Sequence, residues 1–151
     1  MPKNIYSMKY LDIYENFNKM KRLFLDDWRI PRDCATYMWR RTDCRIYHEK
    51  WDVVRSYGQF VNWINKNGVP DLLALDYDLD DVVELKEELP FEEWFNLDAN
   101  VAYNGADCVK YLINYCKENK LSLPEYVIHS ANPDGAEIMK ELLEDFKQNK
   151  K

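Results

Sequence analysis

Several patterns that commonly declare a function are missing from this chain of 151 residues. Its four cysteines, Cys34, Cys44, Cys108 and Cys116, form no CxxC pair and show no Cys/His spacing typical of zinc, so they read as reduced thiols, buried or partly exposed. No apolar stretch reaches the ~20 residues that cross a bilayer. Residues 1–19 mix Lys, Asp, Glu, Asn and Tyr without the apolar core of a signal peptide, so a soluble, cytoplasmic chain with no membrane partner is expected. An excess of positive charge is also lacking. The net charge of −6 disfavours general electrostatic wrapping of nucleic acid and leaves phosphate binding to a local basic patch or a cation. No internal repeat is visible.

What is present is a rich core. Hydrophobic residues make up 46% and aromatics 15%, too many for a disordered chain and enough for one domain. The stretch from Asp71 to Asp78 organises the rest: an apolar run follows Pro70, and acids appear at Asp76 and Asp78. That is the form of a buried strand delivering charge at its end. Lys21 to Asp27 has the same form. The β-branched residues of 51–57 and the run 124–129 predict two further strands. Between them, Phe60, Trp63 and Ile64 recur at helical spacing until Asn67-Gly68, with Pro70 beyond. Asn104 is suited to cap a helix with Val109, Leu112, Ile113 and Cys116 on one stripe. Asn132 as cap and Pro133 at the first helical position start a last helix, with Ile138, Leu142 and Phe146 facing in. This alternation predicts an α/β fold with a short, mainly parallel sheet and helices on both faces.

Three stretches are less regular. The extension 1–19 carries Tyr6, Tyr10, Ile13 and Phe17 near a helical repeat, which suits a helix docked on the core; Met20 is equally an alternative start that would make the extension dispensable. Pro31 closes off the extended chain after the first strand and keeps Ile30 extended. In 32–50, Arg40, Arg41 and Arg45 lie near Trp39 and Tyr47, read as a surface helix or irregular connection ahead of a base-stacking face. Between 79 and 103, Asp80, Asp81, Glu84, Glu87, Glu88, Glu92, Glu93 and Asp98 stand against Lys86 alone, with Phe91, Trp94 and Phe95 among them. So long a connection reads as an acidic lid, or as a docking surface for a protein partner. The chain thus divides into an extension, 1–19, and one domain, 20–151, with a lid-like insertion at 79–103.

A parallel sheet gathers the ends of its strands at one edge, where α/β proteins place their chemistry. Asp26 and Asp27 arrive there from the first strand, Asp76 and Asp78 from the third, and His129, Ser130 and Asn132 from the fourth. Asp26, Asp27 and Asp76 are the candidate metal ligands, and Mg2+ (or Mn2+) suits carboxylates together with a substrate phosphate. The free N–H groups of the last helix offer an anion site. Asp76, Asp78 and His129 are the candidate catalytic residues, with His129 as general acid or base; Arg29, Ser130 and Asn132 are the candidate contacts to phosphate oxygens. The plainer alternatives are a structural histidine, a turn-capping Asp78 and an Arg29 that pairs with the acids. His48 has no companions. The aromatics suit a dimer interface and a base-stacking platform equally.

These residues resemble the receiver domain of two-component signalling, with its acid pair after strand one, its acid after strand three and its hydroxyl after the next strand. The resemblance maps these onto Asp26, Asp27, Asp76 and Ser130. Here, however, a single helix follows the Ser130 strand, with no fifth strand and no phosphate-contacting lysine. A closer resemblance is to the divergent receiver-like family proposed to process cyclic phosphates. It rests on Leu25-Asp26-Asp27-Trp28-Arg29-Ile30-Pro31, Leu75-Asp76-Tyr77-Asp78-Leu79, Asn104-Gly105-Ala106-Asp107 and His129-Ser130-Ala131-Asn132-Pro133-Asp134-Gly135-Ala136. It covers roughly residues 20–146 and implies a three-layer, flavodoxin-like receiver fold without the fifth strand. It further implies action on a nucleotide or on an RNA 2′,3′-cyclic phosphate end, in RNA repair or phage–host conflict, with the host cytoplasm as the setting for phage-encoded members. Where the family often has His between the two acids, this chain has Tyr77. Two readings stand: metal-dependent hydrolysis of a cyclic phosphate, with a nucleophilic Asp76 as a variant, or a silent nucleotide-binding or protein-docking module. An ordinary phosphorelay receiver ranks third.

Overall fold

The computed structural model describes residues 19–38, 44–79 and 103–149. Strand β1 spans Arg22–Leu25 and is followed by helix α1, Pro31–Tyr37, and a 3-10 turn, Cys44–His48. Strand β2, Asp52–Val54, leads into α2, Tyr57–Asn67; β3, Leu72–Leu75, precedes α3, Gly105–Asn119; β4, Glu125–Ile128, precedes α4, Pro133–Asn149. The strands lie in the order β2-β1-β3-β4, and every pairing is parallel. This is the predicted α/β receiver-like fold, and among the described residues no fifth strand follows β4. The predicted helix in the extension 1–19 and the predicted lid fall outside the described residues except at their borders, as do Trp39, Arg40 and Arg41.

Alternation along the strands sorts their side chains between two cores. Leu23, Leu25, Val54, Leu73 and Leu75 point to the face covered by α2, α3 and α4, where they meet Phe60, Ile64, Leu112, Met139 and Leu143. Each such side chain contributes roughly 1.5–3 kcal/mol by leaving water. Phe24 and Ala74 point the other way, onto Cys34, Met38, Tyr47 and Trp51. The segment read as a solvated surface connection is therefore a second core layer, because Cys34, Met38 and Tyr47 turn inward while Arg32 and Arg45 stay exposed. The four cysteines form no disulfide, and burial pushes the Cys34 thiol up to about 12.

The helix ends follow the local chemistry. Ser56 Oγ accepts the Gln59 N–H at 3.1 Å and starts α2, which is why β2 stops short of the predicted 51–57. Gly68, at φ 81, ends α2 with its N–H on the Ile64 carbonyl. Asn104 and Asp107 exchange hydrogen bonds in a capping box at α3. Asn132 Oδ1 accepts the Gly135 N–H at 3.0 Å and opens α4. Pro31 does not only end an extended segment: Ile30 is extended, and Pro31 occupies the first position of α1. One expectation fails outright. Ile138 is 43% exposed, and the buried stripe of α4 is Gly135, Met139 and Leu143, flanked by Leu142 and Phe146. The close approach of Gly135 to Tyr77 sets the helix's rotation, and this turns Ile138 out. Among the described residues no helix is long and apolar enough to cross a membrane.

Candidate functional site

Strand register decides what meets at the edge. Leu25 lies level with Val54 and with Leu75, and Leu75 with Ile128. The next residues, Asp26, Asp76 and His129, therefore leave three adjacent strands side by side. The ladder extends through them: Asp76 N–H donates to the Leu25 carbonyl and His129 N–H to the Leu75 carbonyl, each at 3.0 Å. Asp27 joins, and oxygens of Asp26, Asp27 and Asp76 lie within 4.8 Å of one another.

Asp26 is the hub. Its Oδ1 accepts the backbone N–H groups of Trp28 at 3.0 Å and Arg29 at 2.8 Å, folding the loop after β1 back over the carboxylate. Its Oδ2 lies 3.0 Å from His129 Nε2 and 3.6 Å from Arg29 Nη1. Burial alone would raise the pKa of this carboxyl, but the His129 hydrogen bond and the two backbone N–H groups overcome it and hold the group at about 2. An ionised Asp26 fixes the hydrogen of His129 on Nε2. Asp76 goes the other way: burial, and then the charge of Asp26, push its pKa up, although the Tyr77 N–H donates to its Oδ1 at 2.8 Å.

The remaining predicted residues are reached with different roles on display. His129 has no exposed surface, stacks flat on Phe24 at 4.5 Å, and turns Nε2 to Asp26. Ser130 is buried, and its Oγ accepts the Asn132 N–H at 3.1 Å. Asn132 divides its amide: Oδ1 caps α4, and Nδ2 points to Asp78 Oδ2 at 3.5 Å. Asp78 is exposed at the rim.

Sequence reading missed two supports. Arg55 donates from Nη1 to the carbonyls of Asp26, at 3.1 Å, and Arg29, clamping the loop that carries the acids. Nothing local in the sequence marks that contact. Gly105 and Gly135 sit in the first turns of α3 and α4, and a Cβ on either would run into the β3 loop at Asp76 or Tyr77. The signal available was a glycine placed where a helix former is expected.

The family described as the cyclic-phosphate processing receiver domain matches residues 21–145. The chain belongs to that family. No curated protein and no solved structure matches it. Membership in a cyclic-phosphate processing receiver family agrees with the parallel sheet and ties the protein to cyclic-phosphate chemistry.

The depressed pKa of Asp26 has a measurable consequence. Its folded value, about 2, lies below the ordinary 3.8, so the native state gains stability above about pH 4 and loses it as pH falls toward 2. The contribution is about 2 kcal/mol. Acid titration of unfolding should show this limb in the wild type and a flatter one in Asp26→Asn; equal slopes would count against the assignment.

Proposed function

We propose that the protein hydrolyses a cyclic phosphate at the carboxyl edge of its sheet, with the help of a divalent cation. The observation that carries the reading is the meeting of Asp26, Asp27 and Asp76 oxygens within 4.8 Å where β1 and β3 end, in a chain of this family. The donors fit a hard cation: all are carboxylate oxygens, and Asp76, whose pKa is raised first by burial and then by the charge of Asp26, is a carboxylate that a cation would help to keep ionised. Mg2+ or Mn2+ held by Asp26, Asp27 and Asp76 would supply Lewis acidity toward the phosphoryl group.

The chain's own residues do the rest. His129 holds and orients Asp26 through Nε2, and the Arg55 clamp keeps the loop rigid. Arg29, Ser130 and Asn132 would be the groups that direct phosphate oxygens, together with the first N–H groups of α4. Asp78 is the exposed carboxylate at the rim and is the group positioned to exchange protons with solvent. Water adds to phosphorus, one ring P–O bond breaks, and the departing oxygen takes a proton to give a phosphate monoester. The ring would belong to an RNA end or a small cyclic nucleotide, in a setting such as RNA repair or phage–host conflict.

Phosphorus NMR with Mg2+ or Mn2+ and 2′,3′-cyclic nucleotides should show new monoester signals that chelation abolishes. Asp27→Asn should slow their appearance at least about 100-fold, as loss of one electrostatic stabiliser does. One observation favours a second reading, a silent binding module: the His129 imidazole at this edge is sealed from solvent. Ligand line broadening that needs Asp26 and Asp76, with no product, would select it.

A further inference from the structure

The rim of the acid site carries apolar surface that the hydrolytic scheme does not use. Trp28 is 69% exposed, and Ile30 and Tyr37 nearby are also exposed. Buried area does not account for a large aromatic held in water, and its placement is not loose. The Trp28 backbone N–H is fixed on Asp26 Oδ1, Arg55 clamps the carbonyls on either side, and the Arg29 guanidinium lies 5.0 Å from the Trp28 ring and 5.2 Å from that of Tyr37. An indole backed by a guanidinium on a rigid loop is pre-organised for a flat ring.

Its position says which ring. Trp28 follows Asp26 by two residues, so its backbone lies within about 7 Å of the carboxylate's. Arg29 bridges the two, touching Asp26 at 3.6 Å and the indole at 5.0 Å. A molecule whose phosphate reaches the acids has Trp28 within reach of its next substituent. A protein partner would need a broad patch, ~800 Å² per side, whereas Arg32, Asp33 and Thr36 break this surface with exposed polar groups.

We propose that Trp28, backed by Arg29, is the platform on which the heterocyclic base of the nucleoside cyclic phosphate stacks. The assignment rests on the cyclic-phosphate reading above. Stacking on a single aromatic is sequence-tolerant, because every base has a π-face, so the platform accepts purines and pyrimidines alike.

The test compares adenosine and uridine 2′,3′-cyclic phosphates with glycerol 1,2-cyclic phosphate, using wild type, Trp28→Ala and Trp28→Phe. The wild type should prefer both nucleoside substrates. In Trp28→Ala that preference should fall about 5- to 150-fold, the range expected from losing one base-stacking contact, and should fall through KM more than kcat. Trp28→Phe should restore most of it. An unchanged preference in Trp28→Ala would overturn the platform and return the patch to a protein-docking role. Should the wild type turn over none of the three, the hydrolytic reading fails on its own, and saturation-transfer NMR with adenosine 2′,3′-cyclic phosphate decides the platform. Transfer to the base protons that Trp28→Ala removes would uphold it; transfer that persists in the variant, or is absent from the wild type, would overturn it.

Discussion

Asp76→Asn should make the protein more stable without divalent cation and blind to its addition. Asp76 is buried next to Asp26, and its pKa is raised first by lost hydration and then by its neighbour's charge. A group whose folded pKa lies above the unfolded value favours its neutral form, so the ionised carboxylate costs stability once pH rises through the folded pKa. Asn keeps the shape and keeps an oxygen to accept the Tyr77 N–H, but drops the charge. Each kcal/mol relieved raises Tm by about 2–4 °C in a chain of this size. Wild type should gain more from the cation, about 2.7 kcal/mol when free Mg2+ or Mn2+ stands at 100 times its Kd, and the variant nothing. Turnover should disappear with the response. Thermal unfolding with cation and with chelator reads both effects. A lower Tm in chelator, or an intact shift with cation, would remove Asp76 from the ligand set.

The fold was legible wherever one local signal sufficed. The apolar runs at Leu23–Leu25 and Leu72–Leu75 became the paired central strands. Gly68, Asn104 and Asn132 ended or capped helices where their chemistry requires. Failures came where tertiary contacts overrode periodicity. Tyr47 sits in an arginine-rich stretch with weak helical pattern, yet with Trp51 it closes the second core against Phe24. Ile138 matches the helical repeat as well as Met139 does, and only the approach of Gly135 to Tyr77 decides which of them faces in.

At the site, strand-end acids were readable because a parallel sheet brings consecutive strand ends to one edge whatever the sequence between them. Bringing Asp26 and Asp76 together needed only the strand order. Which atoms then pair was not readable. Burial of His129 under Phe24 stacking, and the reach of Arg55 to carbonyls 26 and 29 positions away, depend on side-chain paths that no spacing rule encodes. The structure shows the geometry alone: the His129 imidazole is buried against the Asp26 carboxylate, and Asp78 is exposed at the rim.

The glycine in the first turn of α3 should prove the most sensitive position outside the acids. Gly105 N–H donates to the Tyr77 carbonyl at 2.7 Å, which seats α3 directly on the loop leaving β3. A Cβ at Gly105 would overlap the Asp76 carbonyl oxygen and come within 2.9 Å of both Met139 Sδ and Tyr77 Cα. Two of those three atoms are backbone and belong to the strand end that presents Asp76, so relief requires the loop itself to move. Overpacking commonly costs about 1–3 kcal/mol, and an obstacle of backbone places Gly105→Ala at or above the upper end. Gly135→Ala is the informative contrast. There the added Cβ meets the Tyr77 ring, a side chain that can be removed. Tyr77→Ala should therefore rescue much of the loss in Gly135→Ala and little of that in Gly105→Ala. Denaturant unfolding of the two single variants and the two doubles measures this coupling. Equal rescue in both pairs would mean that the β3 loop yields as readily as the tyrosine, and that Asp76 is not rigidly seated by α3.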